Sequence, residues 1–493
     1  MYSGYGFRKS EIGDVDVVVH DGEYHLFHLT LPNHDYIAHA VSRDGLHWRR
    51  VKNALFISDP PAWDDDMLWT MHVSRDPYQP GSWRMFYTGL SMEERGRVQR
   101  LGLAVSDDLY HWRKVNQGAF PLEAKSPHYE STVDEGRHWV SFRDPCFFEQ
   151  DGKGCLVVSA RVPQGPIIRR GCVALLKETA ANQFELQAPL FHPMRYDDLE
   201  VPSLVRLRDR YYLICSIRED IKIHYWYADK LEGPYRNLAD NVLLPQGNYA
   251  ARICQDDGRY LVWNFFYKGL KIEGLHLMAP PKELVADDDG RLRLRRFAGF
   301  RDVFSSPQDP EQLFPLAPVL GNPTASFDTA PGMCRVACES GMEMFLMQGE
   351  FDDFVLSGDL HIDESGKCGL LLRVDDEGDG YFLSLDLYKG MAQLRAWAFN
   401  PEGSYEESFH YQQLQGSNFL TGQGPYRFSL LAYGQYFELT LNGFIVLSLA
   451  DDQFSRGRIG FYSEGATFTV ENLTFWTPTK PVSPEYPETL ERL

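Results

Sequence analysis

The sequence predicts an all-β chain, with a five-bladed β-propeller followed by a C-terminal β-sandwich. A strand-forming unit rich in aromatic and branched residues recurs five times between residues 21 and 263, and short alternating strands resume over roughly residues 340–476. No helical periodicity of any length competes with these patterns. Five repeats of several strands each are typical of a propeller, because radial closure protects the edge of every sheet.

Each repeat begins at a Gly or Asp turn and continues as an alternating apolar run. The five copies occupy residues 21–28, 81–87, 152–158, 209–215 and 257–263. A second unit follows the first two copies, at residues 38–48 and 102–112, and predicts a strand that ends in a polar turn with a Trp after it. An irregular pair of β-sandwiches explains this regular spacing poorly.

Changes in composition and residue pattern divide the chain into four parts. Residues 1–285 are predicted to form the propeller, and residues 286–335, rich in Asp, Pro and Arg, a linker. Residues 336–478 alternate between short strands and turns in the pattern of a β-sandwich. Residues 479–493 are Pro- and Glu-rich and are predicted to be a surface tail.

Charge and composition limit the partners. The 69 acidic residues exceed the 49 basic ones and give a net charge of −20, which disfavours binding to nucleic acids and anionic membrane surfaces. No apolar run reaches the roughly 20 residues that span a bilayer. The eight Cys lie mostly in strand-like runs, and the first residues lack the apolar core of a secretory signal, so we expect a cytoplasmic protein with free thiols.

Neither a metal nor a cofactor is expected. The chain has no phosphate-binding glycine loop, and the eight Cys lack metal-type clustering. The acidic run at residues 375–380 has no flanking helix and is followed by a strand, so it is predicted to be a hairpin turn rather than a calcium loop.

Three carboxylates occupy matched positions ahead of the repeats. Asp14, Asp144 and Glu200 precede the first, third and fourth copies by a similar interval. The inner strands of a propeller converge on its axis, so these side chains should meet in one funnel. Glycoside hydrolysis needs a protonated carboxyl and an ionised one, and crowding of carboxylates raises the pKa of the acid. Asp16 remains an alternative to Asp14.

Five further residues near the blade entrances are predicted to bind substrate. They are Asp16, Trp69, His72, Arg143 and Arg252. Trp63 and Trp139 are weaker candidates for stacking on a sugar ring, because packing between blades is at least as good an explanation for them. A second Arg-Asp-Pro, at residues 75–77, lies in a polar stretch between two strands and is predicted to be a hairpin turn.

The Arg143-Asp144-Pro145 motif, with Glu200 in the next blade and Asp14 in the first, resembles glycoside hydrolase family 32, the invertases, levanases and inulinases. The resemblance covers most of the chain. It implies that Asp14 is the nucleophile, that Glu200 is the acid/base, and that Asp144 binds sugar hydroxyls and stabilises the transition state.

Two motifs depart from that family. Its usual Asn-Asp-Pro-Asn-Gly is here Gly13-Asp14-Val15-Asp16, and the Cys that commonly follows the acid/base Glu is here Val201. These departures indicate a divergent member whose substrate differs from sucrose or a plain fructan.

Three functions follow, in order of preference. The first is a retaining glycosidase or fructosyl-transferring enzyme acting on a small carbohydrate. The second is an inverting furanosidase resembling glycoside hydrolase family 43, the arabinanases and xylosidases, because the interval from Asp14 to Tyr24 is closer to that family's first blade. A carboxyl separation of about 5–5.5 Å indicates retention and about 6.5–9.5 Å inversion.

The third is a non-catalytic carbohydrate-binding protein with a lectin-like sandwich. The sequence leaves the sugar, the linkage and the choice between hydrolysis and transfer open. It also leaves a homo-oligomer open, since a sandwich face can serve as a dimer interface.

Overall fold

The computed structural model describes residues 1–4, 12–115, 120–150, 152–267, 276–314, 316–364, 366–400, 408–422 and 424–479. The chain forms two compact units, the first mainly residues 2–243 and 247–293, and the second beginning at Leu294. Of the predicted C-terminal tail, residues 480–493 lie outside the described residues.

The first unit is a five-bladed propeller, as predicted. Blade 1 contains β1 (Ile12–His20), β2 (Glu23–Thr30), β3 (Tyr36–Ser42), β4 (Arg49–Arg50) and β5 (Leu55–Phe56). Blade 2 contains β6 (Met67–Arg75), β7 (Trp83–Leu90), β8 (Arg100–Ser106) and β9 (Arg113–Lys114). Blade 3 contains β10 (Phe142–Gln150), β11 (Lys153–Arg161), β12 (Gly171–Ala180) and β13 (Gln183–Leu186). Neighbouring strands of these blades pair antiparallel, and β5 pairs with β3.

The last two blades repeat this order. Blade 4 contains β14 (Glu200–Leu207), β15 (Arg210–Ile217), β16 (Lys222–Ala228) and β17 (Val242–Leu244). Blade 5 contains β18 (Asn248–Asp256), β19 (Arg259–Phe266), β20 (Lys282–Ala286) and β21 (Leu292–Arg296). The outer strands of blade 5 extend past residue 285, where the sequence analysis ended the propeller, because the Asp-rich run at residues 287–290 is the turn that joins β20 to β21.

Apolar side chains fill the spaces between successive blades. Phe27 and Leu29 of blade 1 share one buried cluster with Leu68 and Met85 of blade 2. A second cluster joins blades 2 and 3, and a third joins blades 3 and 4. Tyr24 connects blades 1 and 5 by donating its hydroxyl to Asp256 Oδ2 at 2.8 Å. All eight Cys are free and buried, in agreement with the sequence analysis.

A β-bulge interrupts the innermost strand of every blade at its cavity end. The bulges lie between Ile12 and Val15, Trp69 and Met71, Arg143 and Cys146, Glu200 and Ser203, and Tyr249 and Arg252. Asp144, Val201 and Ala250 take positive φ angles of 60°, 47° and 55° there. Each bulge adds a residue to one strand and redirects the side chains beside it.

Polar groups of the preceding blade hold two of these bulges in place. The backbone N–H of Asp144 donates to Thr88 Oγ1 at 3.1 Å, and that of Ala250 donates to Ser216 Oγ at 2.8 Å. These hydrogen bonds satisfy backbone donors that the bulge removes from the ladder.

The predicted polar turns after β3 and β8 are confirmed. Ser42 Oγ accepts from the backbone N–H of Gly45 at 2.9 Å, and Asp44 Oδ1 accepts from that of His47 at 2.8 Å. Asp108 Oδ1 repeats the arrangement by accepting from the backbone N–H of His111 at 2.7 Å. The recurring Ser-x-Asp is therefore a turn-capping motif. Residues 75–77 likewise lie where β6 ends and the loop to β7 begins.

The second unit is a β-sandwich. A short helix, α1 (Phe300–Val303), precedes its strands, and the described residues also include 3-10 helices at Ile167–Arg169 and Pro310–Leu313. Its strands are β22 (Ser306–Gln308), β23 (Ala317–Pro318), β24 (Ala325–Ala330), β25 (Met333–Cys338), β26 (Met342–Leu346), β27 (Phe354–Glu364), β28 (Lys367–Val374), β29 (Gly380–Asp386), β30 (Met391–Phe399), β31 (Phe409–Asn418), β32 (Tyr426–Tyr433), β33 (Tyr436–Leu441), β34 (Phe444–Ala450), β35 (Arg458–Glu464) and β36 (Thr467–Thr477).

These strands form two sheets around one apolar core. One sheet runs in the order β24-β25-β36-β27-β32-β33-β34 with β22 against β36, and the other runs β23-β26-β35-β28-β29-β30-β31. The predicted linker, residues 286–335, therefore contributes strands to both sheets. The sequence analysis did not predict these strands because the segment is polar. Residues 325–330, for example, form an edge strand that is mostly exposed. The acidic run at residues 375–380 joins β28 to β29 as a hairpin, as predicted.

None of the helices in the described ranges is long and apolar enough to cross a bilayer.

Candidate active site

All five blades of the propeller contribute to one cavity of about 290 Å³. Its lining consists of Gly13, Asp14, Leu29, Leu31, His34, Trp69, Thr70, Arg143, Asp144, Glu200, Val201, Arg218, Tyr249, Phe265 and Tyr267. Cavities of this size class hold small molecules in proteins. The three carboxylates that the sequence analysis singled out are all in this lining, together with Arg143 and Trp69.

Two of the carboxylates, Asp14 and Asp144, each accept a hydrogen bond from the neighbouring blade. Thr70 donates its hydroxyl to Asp14 Oδ2. Asp144 Oδ2 accepts from the backbone N–H of Val201 at 3.0 Å and lies 3.5 Å from Arg143 Nε. The bulges thus bring carboxylates from blades 1 and 3 to one cavity floor, with a threonine from the blade between them.

Glu200 is held by three donors. Arg143 Nη2 donates to its Oε1 at 2.7 Å, and Arg218 Nη2 donates to the same oxygen. The Tyr249 hydroxyl donates to Oε2. Both oxygens of this buried carboxylate therefore have charge-assisted or hydroxyl partners.

These surroundings separate the pKa values of the carboxyls. Burial, and then the negative charge of Asp144, raise the pKa of Asp14 to about 7, although the Thr70 hydrogen bond lowers it. Burial also raises the pKa of Asp144, opposed by Arg143. Burial alone would raise the pKa of Glu200, but Arg143 and then Arg218 outweigh it and hold this pKa below its usual range.

These shifts favour a proton on the Asp14–Asp144 pair and an ionised Glu200. Two acids whose charges interact strongly titrate as a unit, so the proton belongs to the pair rather than to one residue. A cluster of three carboxylates that shares a proton has both components of acid–base chemistry, a donor and an ionised group.

A chain of ion pairs holds Arg143 in place. Asp198 Oδ2 lies 3.3 Å from Arg143 Nη2 and accepts from Arg137 Nη1 at 2.7 Å. Burial opposes the ionisation of Asp198, but Arg143 and Arg137 keep its pKa below the usual value. Arg137 belongs to the segment that connects β9 of blade 2 to β10 of blade 3, so this segment contacts the site.

Two groups of aromatic rings contribute to the lining of the cavity. The Tyr267 ring lies 5.2 Å from that of Tyr249 and 6.1 Å from that of Phe265, and the rings of His34 and Trp69 lie 5.9 Å apart. Such faces suit the C–H surfaces of a sugar ring, while the carboxylates and arginines suit its hydroxyls. No group of His, Cys, Asp and Glu in the described part of the chain is arranged to hold a metal ion.

Three predicted substrate-binding residues do not line this cavity. The Asp16 carboxylate is buried and accepts from the backbone N–H of Val73 at 2.6 Å. His72 Nδ1 lies 3.4 Å from the same carboxylate. Arg252 is buried and donates to the carbonyl oxygens of Pro145 and Pro202 at 2.8 Å and 2.7 Å. All three follow the bulges, where the strand packs between blades.

The two weaker aromatic candidates also lie elsewhere. Trp63 stacks on Tyr87 with the ring centroids 5.8 Å apart, and Trp139 has the guanidinium of Arg137 over its ring at 4.3 Å. Neither lines the cavity. Of the two candidate nucleophiles, only Asp14 faces the cavity.

The sequence analysis missed Thr70, Arg218 and Tyr249. Two of them lie at the position in blades 2 and 5 that corresponds to the carboxylates, so the repeat itself could have identified them. Arg218 lies in the turn after β15 and had no comparable signal.

Comparison with known proteins agrees with this fold. A family profile described as the glycosyl hydrolases family 32 N-terminal domain matches residues 15–266. The fold is similar to that of an Aspergillus awamori exo-inulinase, at 14% identity over 97% of this chain and 98% of that chain, with a TM-score of 0.67.

Two similar structures hold sugars. One is a Bombyx mori family 32 β-fructofuranosidase variant in complex with sucrose, at 17% identity over 95% of this chain and 91% of that one, with a TM-score of 0.62. The other is a Cichorium intybus fructan 1-exohydrolase variant in complex with 1-kestose, at 14% identity over 97% of each chain and a TM-score of 0.64. These likenesses show the shared fold.

Proposed function

The chain belongs to glycosyl hydrolase family 32 and is a glycosidase, and we propose that it cleaves fructofuranosides with retention of configuration through Asp14, Asp144 and Glu200. One observation carries the proposal: three blades deliver these carboxylates to a single cavity that also has arginines and aromatic rings.

In the proposed reaction the Asp14 carboxylate attacks the anomeric carbon of the fructosyl unit. The bond from that carbon to the bridging oxygen breaks, and the departing oxygen takes the proton of Glu200. A water molecule then attacks the same carbon, Glu200 takes its proton, and the ester to Asp14 breaks. Both carboxyls end in their starting states.

Asp144 stabilises charge and geometry in this scheme. Its Oδ2 is oriented by the backbone N–H of Val201, so the carboxylate is held in place before a sugar arrives. A fixed negative group beside the anomeric carbon favours the oxocarbenium-like transition state.

The substrate class follows from the family and the cavity. Sucrose and 1-kestose, the sugars bound in two similar structures, are the first compounds to test. A cavity of about 290 Å³ suits one terminal unit at a time, which favours release of terminal fructose. Val15 and Val201 replace the family's usual residues, so we expect the preferred leaving group to differ from that of sucrose.

The test compares the wild type with Glu200→Gln on sucrose, 1-kestose and inulin, following the anomer of the released fructose by NMR. We expect the β-furanose first, and a loss of about 10²–10⁴-fold in the variant. Glu232→Gln, which changes an exposed carboxylate on the same unit, is the control. Initial release of the α anomer would establish inversion instead. Full activity in Glu200→Gln would refute the assignment.

We also propose that the protein resides in the cytoplasm. The eight buried free thiols support a reducing compartment, where such thiols persist. Fractionation of the native source with an antibody would test it, and recovery outside the cell would refute it.

A further inference from the structure

The proposed function requires Glu200 to act as a general acid, but its contacts favour the ionised form. A general acid carries a proton on one carboxyl oxygen and presents it to the departing oxygen. Oε1 of Glu200 already accepts from two guanidinium groups, and Oε2 accepts from the Tyr249 hydroxyl. Both guanidinium groups favour the ionised form of this carboxylate, so protonation of Glu200 becomes easier when one of these charges moves away.

The three partners differ in their freedom to move. Arg143 is buried and is held by Asp198 at 3.3 Å and by Gln99 Oε1 at 3.4 Å as well as by Glu200. Tyr249 is buried under the neighbouring rings. Arg218 has half of its side chain exposed, at 51%, and lies in the turn between β15 and β16.

Arg218 is also the partner with the fewest other contacts. Within the described residues, Glu200 is its one hydrogen-bonded or ion-paired partner, so nothing else fixes its guanidinium over the cavity. It lines the same cavity that a sugar must enter. Water can replace the lost contact, because the side chain already reaches the solvent.

We propose that Arg218 is a displaceable partner of Glu200: the incoming sugar moves its guanidinium off Oε1, and this release lets Glu200 take up the proton that it later donates. Arg218 is thus a positioning residue that acts through Glu200. The inference rests on the proposed function for its role in turnover. Its structural part, the control of Glu200 protonation by Arg218, does not depend on the substrate.

Other groups facing Glu200 set the direction of the effect. They are Asp14 from blade 1, Arg143, Asp144 and Asp198 from blade 3 and the segment after it, and Tyr249 and Tyr267 from blade 5. The nearby carboxylates push a proton toward Glu200, and the two arginines oppose this. Loss of one arginine leaves the carboxylates with a single opposing charge.

The experiment measures the protonation of Glu200 directly. In protein labelled with ¹³C at glutamate carboxyl groups, infrared titration follows the carbonyl band that the wild type has and Glu200→Gln lacks. We expect Arg218→Met to raise the pH at which this band disappears by about one unit or more, because an opposite charge in contact typically lowers a carboxyl pKa by that amount. Arg218→Lys keeps the charge and should restore most of the wild-type behaviour.

Fructose serves as the probe for displacement. A saturating concentration should raise the same transition in the wild type by a similar amount, and should add little in Arg218→Met. Arg195→Met removes an exposed arginine of the adjoining loop, which contacts Tyr196 rather than Glu200, and should leave the transition unchanged. The alkaline limb of kcat/KM should move upward with the infrared band.

Each outcome decides one question. An unshifted band in Arg218→Met, or an equal shift in Arg195→Met, would overturn the inference. A shift in Arg218→Met without any effect of fructose in the wild type would overturn the displacement step. A shifted band in a protein that cleaves no fructoside would retain the Arg218–Glu200 relation and refute the proposed function.

Discussion

Replacement of Thr70 by Val tests whether the ionisation of Asp14 limits turnover. The threonine hydroxyl donates to Asp14 Oδ2 from a buried position, so valine removes one hydrogen bond and little volume. A hydrogen bond to the charged form of an acid lowers its pKa. The substitution therefore raises a pKa that already lies at about 7.

The size of this shift follows from the strength of the bond. A hydrogen bond to a charged group is worth about 1.5–3 kcal/mol, and each pKa unit corresponds to about 1.4 kcal/mol. The pKa of Asp14 should rise by about 1–2 units, which lowers the ionised fraction at pH 6 by about 10–100-fold. The difference from the wild type should narrow as the pH rises.

The assay is the pH profile of kcat/KM for fructose release, whose acidic limb reports the carboxyl cluster of the free enzyme. Ser74→Ala is the matched control. It removes another buried hydroxyl of β6, and this hydroxyl has no hydrogen-bond partner among the described residues. If kcat/KM falls by the same factor at every pH and its acidic limb does not shift, then Thr70 acts on substrate binding and not on the ionisation of Asp14.

Three further predictions concern stability and the bulge. Arg84→Met should lower the free energy of unfolding by about 3–5 kcal/mol, because it leaves Glu178 buried and unpaired, and Glu178→Leu added to it should recover most of the loss in a urea titration. Asp144→Asn should keep the melting temperature and lower kcat by about 10²–10³-fold, whereas Asp144→Val should also lose about 1–3 kcal/mol of stability, because a branched residue is strained at φ 60°. Burial opposes the ionisation of Asp108, but the hydrogen bonds from His111 lower the pKa of this carboxyl to about 2, so the stabilisation is present above pH 4 and lost as the pH falls to 2. Asp108→Asn should cost under about 1 kcal/mol at pH 7, since the side chain is half exposed, and progressively less by thermal melting as the pH falls through 2.

Repetition made most of the fold predictable from the sequence. The five Gly or Asp turns at the start of each repeat are the hairpins that join the first and second strands of the blades, and their spacing sets the number of blades. The strands in the predicted linker could not be found this way. Residues 325–330 lie at a sheet edge with most side chains exposed, so no apolar alternation marks them.

The site was predicted in part, and the bulges explain the errors. Counting back from each repeat found Asp14, Asp144 and Glu200, because the inner strands are equivalent in all blades. Strict alternation along the strand would place Asp16 on the same face as Asp14. The bulge between Ile12 and Val15 breaks that alternation and turns the Asp16 carboxylate toward the backbone of blade 2.

The prediction that Arg252 binds substrate was wrong for the same reason. This residue follows the bulge of blade 5, and its guanidinium donates to backbone carbonyls. A local irregularity of one residue is invisible to a pattern with period two.

The buried series Arg137–Asp198–Arg143–Glu200 has a consequence for the response of the enzyme to ionic strength. Mobile ions weaken attraction between charges that face the solvent, but they have little access to pairs enclosed by protein. Added salt should therefore leave the Arg143–Glu200 contact intact while weakening the solvent-facing contact with Arg218. The pH optimum should therefore differ between high and low salt concentrations. This difference should arise from the solvent-facing Arg218 contact rather than from the buried Arg143–Glu200 pair.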